Sequence, residues 1–188
     1  MTQPNTAAAI PGYLAGTWQI DAVHSDVSFT VRHMMVSKVR GGFTDFEGTI
    51  VTAAEPTQSS VTATIKLDSI NTNNEQRDGH IKSADFFDTA QYPTMTYTST
   101  GVTPVGDGWQ VAGELSLHGV TKAVPLSLEL NGFGPDPYGG TRAGFSAKAE
   151  ISRGDFGIDI SMPLDGGGVV IGDKISISLE IEAVLDAG

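Results

Sequence analysis

The chain contains no cysteine. That excludes disulfide scaffolds, thiolate zinc sites, iron–sulfur clusters and thiol catalysis. Positive charge is scarce: 11 Lys and Arg face 22 Asp and Glu, for a formal net charge of −11 and a pI near 4.5. The few basic residues are scattered and form no patch that would grip a phosphate backbone, so nucleic acid is not an expected partner. The same deficit disfavours an electrostatic anchor on anionic membrane. Aromatic residues are thin, at 7%. No run approaches the ~18 apolar residues of a transmembrane helix, so stable membrane insertion is not expected. The opening MTQPNTAAAIPGYLAG carries no Lys or Arg, and its apolar run from Ala7 to Ile10 stops at Pro11. It does not read as a secretory leader. A disordered tail over residues 1–15 and a cytoplasmic location are the expectations.

What the sequence does have is alternation. With 188 residues, 39% of them hydrophobic, it suits one domain, expected over residues 16–185. In DVSFTVRH, Val27, Phe29 and Val31 share a face opposite Ser28, Thr30 and Arg32. VTATIKL, TMTYTST, WQVAGELSL, VPLSLEL, FSAKAEI and ISISLEIEAV repeat the pattern. Period 2 with one apolar face is the mark of a half-buried β-strand. TWQID is short and is expected to run on, bent, into the Val27 strand. GGFTDFEGTIV loses phase between Phe43 and Phe46, which points to a bulge or bend at Gly41, Gly42 and Gly48. Counting the bent first strand once gives eight. VGDG, LHGV and GFGPDPYGG supply turn chemistry between successive strands, so the expected order is an antiparallel meander.

Residues 69–93 do not alternate. Asn73 or Asn74 can cap a short helix over Glu75 to Lys82, and Ser83 can cap a second turn over Ala84 to Asp88. The expected fold is therefore all-β, an extended eight-stranded antiparallel barrel with a short helical capping segment around residues 74–88. Strands of about ten residues suit a tilted barrel better than a sandwich. Small residues on the apolar faces (Ala63, Gly113, Ala147 and Ala149) beside Phe29, Tyr97, Leu115, Leu128 and Phe145 leave two readings open. They either leave a dry cavity for an apolar guest or fit beneath the cap and the twist of the sheet. Alternation does not say which face points inward; a membrane barrel would turn the apolar one out.

Candidate chemistry is sparse. His24, His33, His80 and His118 show neither HxH nor HExxH spacing, so no metal site is expected. Asp21, His24 and Ser25 resemble a triad in composition only, because neighbours on a strand point to opposite faces. GxSxG, GxGxxG and the P-loop pattern are absent; GPDPYGG and the glycines at 166–168 read as loops. No catalytic residue and no cofactor are assigned. RDGHIKSADFFD (residues 77–88) is richer. Phe86 and Phe87 can plug a barrel end, while Arg77, Asp78 and His80 form a polar network at a mouth. Arg153 and Asp155 of SRGDFG can join such a network at one rim.

These motifs resemble the YceI-like, polyisoprenoid-binding family. WQIDAVHSDVSFTVRHMMVSKVRGGFTDFEGTI is similar to the family's opening. SINTNNEQRDGHIKSADFFDTAQYPTM, VAGELSLHGVTKAVPL, FSAKAEISRGDFG and VIGDKISISLEIEA follow in the family's order, covering about residues 17 to 184. The resemblance implies a lipocalin-like barrel with a long apolar pocket for an isoprenoid chain, such as a polyprenyl or quinone tail, or another long-chain lipid. It also implies a possible homodimer. The matching polar positions are His24, Ser25, Arg77, Asp78, His80, His118, Arg153 and Asp155. The leading expectation is a non-enzymatic lipid carrier or store. Phe29, Val31, Ile65, Met95, Tyr97, Leu115, Leu128, Phe145 and Ile177 are expected to line the chain, with Phe86 and Phe87 closing one end. The alternatives are an enzyme acting on such a lipid, with His24 or His118 as general base, and an interaction module with a filled core.

Overall fold

The computed structural model describes residues 10–33, 37–158 and 171–187; the side chains of His33 and Ile171 are not among the parts described. The glycines at 166–168, most of the irregular stretch at 152–168 and residues 1–9 of the expected tail lie outside it.

Twelve strand segments form one antiparallel sheet that closes on itself. They are β1 (Gly16–Ile20), β2 (Asp26–His33), β3 (Ser37–Phe43), β4 (Phe46–Thr52), β5 (Ser60–Lys66), β6 (Ile70–Asn71), β7 (Thr94–Val105), β8 (Gly108–Leu117), β9 (Val120–Ala123), β10 (Leu126–Pro135), β11 (Thr141–Ser152) and β12 (Ile171–Leu185). Round the barrel the order is β1-β4-β5-β7-β8-β10-β11-β12, and β12 returns to β1. The remaining segments are continuations of these eight walls. β1 and β2 are the two halves of the bent first strand: Trp18 pairs with Leu185 and Val27 with Leu179, both on β12. β3 pairs with β2 as β4 pairs with β1, so the second strand bends in step with the first.

That second bend corrects the sequence expectation. It falls at Thr44 and Asp45, between the two segments, and not at the glycines. Thr44 N–H is held by the Ser69 carbonyl, and the Asp45 carbonyl accepts from Lys66 N–H. The glycines make room instead. A Cβ on Gly41 would lie 2.6 Å from the Phe29 ring, and one on Gly48 would lie 2.6 Å from Ile20 Cδ1.

The apolar face points inward. Along β8, Trp109, Val111, Gly113, Leu115 and Leu117 are buried while Gln110, Ala112 and Glu114 are exposed. The outer face is rich in Ser, Thr, Glu and Lys, the reverse of a membrane barrel. No described helix is long and apolar enough to cross a membrane.

The turns follow their chemistry. His118 and Gly119 join β8 to β9 with φ of +57° and +76°, the two left-handed residues of a type I′ hairpin. Among the described residues the α-helix α1 (Glu75–Lys82) covers an end of the barrel, and the Asn74 side chain caps it by accepting from Arg77 N–H. After Ser83 the expected turn forms without becoming a helix, and Asp85 N–H donates to the Ser83 hydroxyl at 3.3 Å. Residues 83–92 make a series of turns, held by Phe86 N–H to Ser83 O and Tyr92 N–H to Asp88 O, with Asp88 at φ +52°.

Candidate functional site

The inward side chains do not fill the barrel. They enclose an apolar cavity of about 340 Å³ that runs from α1 to the opposite end. On β12 the lining runs through Ile175, Ile177, Leu179 and Ile181. Phe133 lines it at the level of Ala183, through the pairings Phe133–Ala143 and Ala143–Ala183. Ile175 to Ala183 is eight residue steps, roughly 27 Å along the strand at ~3.4 Å per residue. The site is long and narrow because strands of this length carry apolar residues at every second position. The volume lies within the range of roughly 300–1,000 Å³ usual for small-molecule pockets.

All eleven residues expected to meet an apolar chain line this cavity: Phe29, Val31, Ile65, Met95, Tyr97, Leu115, Leu128, Phe145, Ile177, Phe86 and Phe87. The argument from small residues holds only in part. Ala63 and Ala147 line the cavity. The space beside Gly113 is filled by Tyr97, whose hydroxyl donates to the Val124 carbonyl at 2.7 Å. Burial pushes the Tyr97 phenol up to about 12, so it stays neutral.

At the α1 end Phe43 bridges Phe29 and Phe87, with ring centroids 5.8 and 6.2 Å apart, and Phe86 meets His80 edge-on at 5.0 Å. Arg77, His80 and Arg153 reach the cavity here; Asp78, His118 and Asp155 do not line it. Arg77 donates to the hydroxyl and the carbonyl of Thr72, and Thr72 in turn donates to Asp78. His80 pairs with Asp85 at 3.1 Å. Arg153 is buried and donates to the carbonyls of Gly172 and Ile158. His118 Nδ1 lies 3.0 Å from the Phe156 carbonyl, which can only accept, so Nδ1 carries the proton. Asp155 is exposed on the same turn as Arg153.

His24 is elsewhere. It sits on the outer wall at the bend of the first strand, 2.8 Å from Asp21 and 3.6 Å from Glu182. The expected polar set is thus two groups, one at the α1 mouth and one outside the barrel. Asp21, His24 and Glu182 have the composition of a metal site. Arg142 already fills that role, with Nη1 2.7 Å from Asp21 and 3.0 Å from Glu182, and Nε 2.8 Å from Asp136. Its guanidinium, helped by His24, holds the Asp21 carboxyl at about 2.

The other end was not legible in the sequence. Trp18 is fully buried and donates to the Thr52 hydroxyl at 2.8 Å. Phe133 packs edge-on against Trp18, Phe145 and Tyr13, with centroids 5.7, 6.3 and 5.4 Å apart. Tyr13 and Phe133 both line the cavity. Neither belongs to an alternating run, so no periodicity marked them.

Residues 18–183 match the model of the YceI-like domain. Over 148 residues the chain is 43% identical to the protein YceI of Escherichia coli, covering 77% of this chain and 78% of that one. Two solved structures share the fold. Burkholderia cenocepacia BcnA superposes with a TM-score of 0.75 at 21% identity, over 87% of this chain and 98% of its own. A polyisoprenoid-binding domain from Saccharophagus degradans, implicated in plant cell wall breakdown, gives 0.64 at 19%, over 92% and 100%. The apolar tunnel, the eight-walled barrel and the match across nearly its whole length place this chain in the YceI-like family.

Proposed function

We propose that the chain binds one long isoprenoid-type lipid, a polyprenyl or quinone tail, inside the barrel and serves as its carrier or store. The observation that carries this reading is the continuous apolar cavity from α1 to Phe133. A lipid tail suits it on energetic grounds. Burying a methylene is worth about 0.8 kcal/mol, so some twenty of them gross roughly 16 kcal/mol against ~4–15 kcal/mol for association. Such a tail binds without a specific polar contact. The polar lining at the α1 end (Arg77, His80 and Arg153) supports placing the head group there and the tail toward Phe133. The binding of polyisoprenoid by the Saccharophagus degradans domain points the same way.

The barrel is read as a binding protein because neither His24 nor His118 lines the cavity, where a general base would have to reach its substrate. Residence in the cytoplasm and pairing into homodimers belong to the same proposal; fractionation of the native host and light scattering check them. Protein purified from that host should yield one long-chain lipid per chain on extraction and mass spectrometry. A chain that carries none, and takes up no fluorescent polyprenyl probe, overturns the proposal.

A further inference from the structure

We infer that Tyr13 is a length stop: it closes the end of the tunnel opposite α1 and sets the longest tail the barrel accepts. The inference rests on the lipid reading above and adds to it a residue that decides between substrates. Tyr13 lies outside the segment that matches the family model, which begins at residue 18.

The geometry is that of a bar across an opening. Residues 10–15 precede β1 and pass over the barrel's end, where Tyr13 N–H donates to the Ile10 carbonyl. The Tyr13 ring packs edge-on against Phe133 of β10, and its hydroxyl donates to the Ala53 carbonyl, just past β4, at 2.6 Å. In the ring of eight walls β4 and β10 are four positions apart in either direction. One side chain therefore fastens to opposite walls, and its ring lines the cavity between them. The crossing is pinned on both sides. Thr52 of β4 donates to the Leu14 carbonyl at 2.7 Å. Gly12 at φ +72° lies so near β10 that a Cβ on it would stand 3.2 Å from the Phe133 carbonyl oxygen. Ile10 packs against the main core.

An apolar tail gains affinity with each carbon it buries, until the next has to leave the tunnel or displace a wall. With the head group at the α1 end, the tail tip meets Tyr13. The ring is large, held at both sides and half-buried, so it stops the tail where a small side chain would let it pass into solvent.

The test titrates purified full-length protein with a ladder of all-trans polyprenols, each longer than the last by one isoprene unit, read by native mass spectrometry and probe displacement. Wild type should gain affinity with length up to a limit and then lose it. In Tyr13→Ala that limit should move up by at least one unit, with roughly tenfold or greater gain for the first length that wild type rejects. In Tyr13→Trp it should move down, and in Tyr13→Phe, which keeps the ring, it should stay. The Trp variant decides the matter if the Ala variant fails to fold. An unchanged limit in both the Ala and the Trp variants overturns the length stop while leaving lipid binding intact. A wild-type chain that binds no polyprenol of any length overturns the lipid reading and the stop together.

Discussion

Tyr97 shows how single residues build the tunnel wall. It turns inward from β7 and lies over the backbone of Gly113 on β8, where a Cβ would enter the space of its hydroxyl and come within 2.8 Å of the Thr98 carbonyl oxygen. Gly113→Ala is expected to cost about 1–3 kcal/mol in urea denaturation, the usual toll of overpacking. Gly101→Ala, with nothing near its Cβ position, should stay within about 0.5 kcal/mol. Arg142 acts through charge. It holds the Asp21 carboxyl near 2, below its ordinary 3.8, and lowers Asp136 as well. A carboxyl with a depressed folded-state value stabilises above its unfolded value, and that stability is lost as pH falls through the folded one. Arg142→Gln should therefore destabilise at neutral pH, and the gap from wild type should close between about pH 4 and pH 2. The cavity-lining residues were legible in the sequence because alternation assigns each side chain to a face. Tyr13, Trp18 and Phe133 were not, since contacts between residues more than a hundred positions apart leave no local mark.

At the level of elements, α1 is the loosest part of the barrel's cover. None of its residues is fully buried, and its start depends on one side-chain cap. Asn74→Ala should cost the helix about 1 kcal/mol. Hydrogen exchange should then quicken across residues 75–82 while the β11–β12 ladder, paired from Arg142–Val184 to Ser152–Lys174, keeps its protection. The cap and the LHGV hairpin were readable because their signals are local: an Asn before a polar turn, and two residues tolerant of positive φ. The bend of the second strand was readable as a loss of phase but not in its place. Glycine suggested freedom of the backbone, whereas here Gly41 and Gly48 accommodate neighbouring side chains. Ser83 caps a turn that does not grow into a helix, because the following residues bring Phe86 and Phe87 down onto the barrel's end.

Across the whole molecule, the hollow interior is a stability statement as well as a binding site. A barrel whose core does not fill itself loses dispersion contacts that a guest restores. Leu128→Trp, placed at mid-wall, should abolish polyprenyl probe uptake while leaving the melting temperature at or above that of lipid-free wild type. Delipidated protein given probe at about a hundred times Kd should gain ~2.7 kcal/mol, or roughly 5–10 °C in melting temperature. The order of the walls was legible from short turns between strands. Closure was legible too, from strands too long for a sandwich; the form of the seam was not, because β12 meets both halves of the first strand, β1 and β2. That seam joins the first wall to the last. Without residues 171–185 in place, the other seven walls have two free edges and make a groove open along its side. Docking of β12 removes both edges at once and turns the groove into a cylinder.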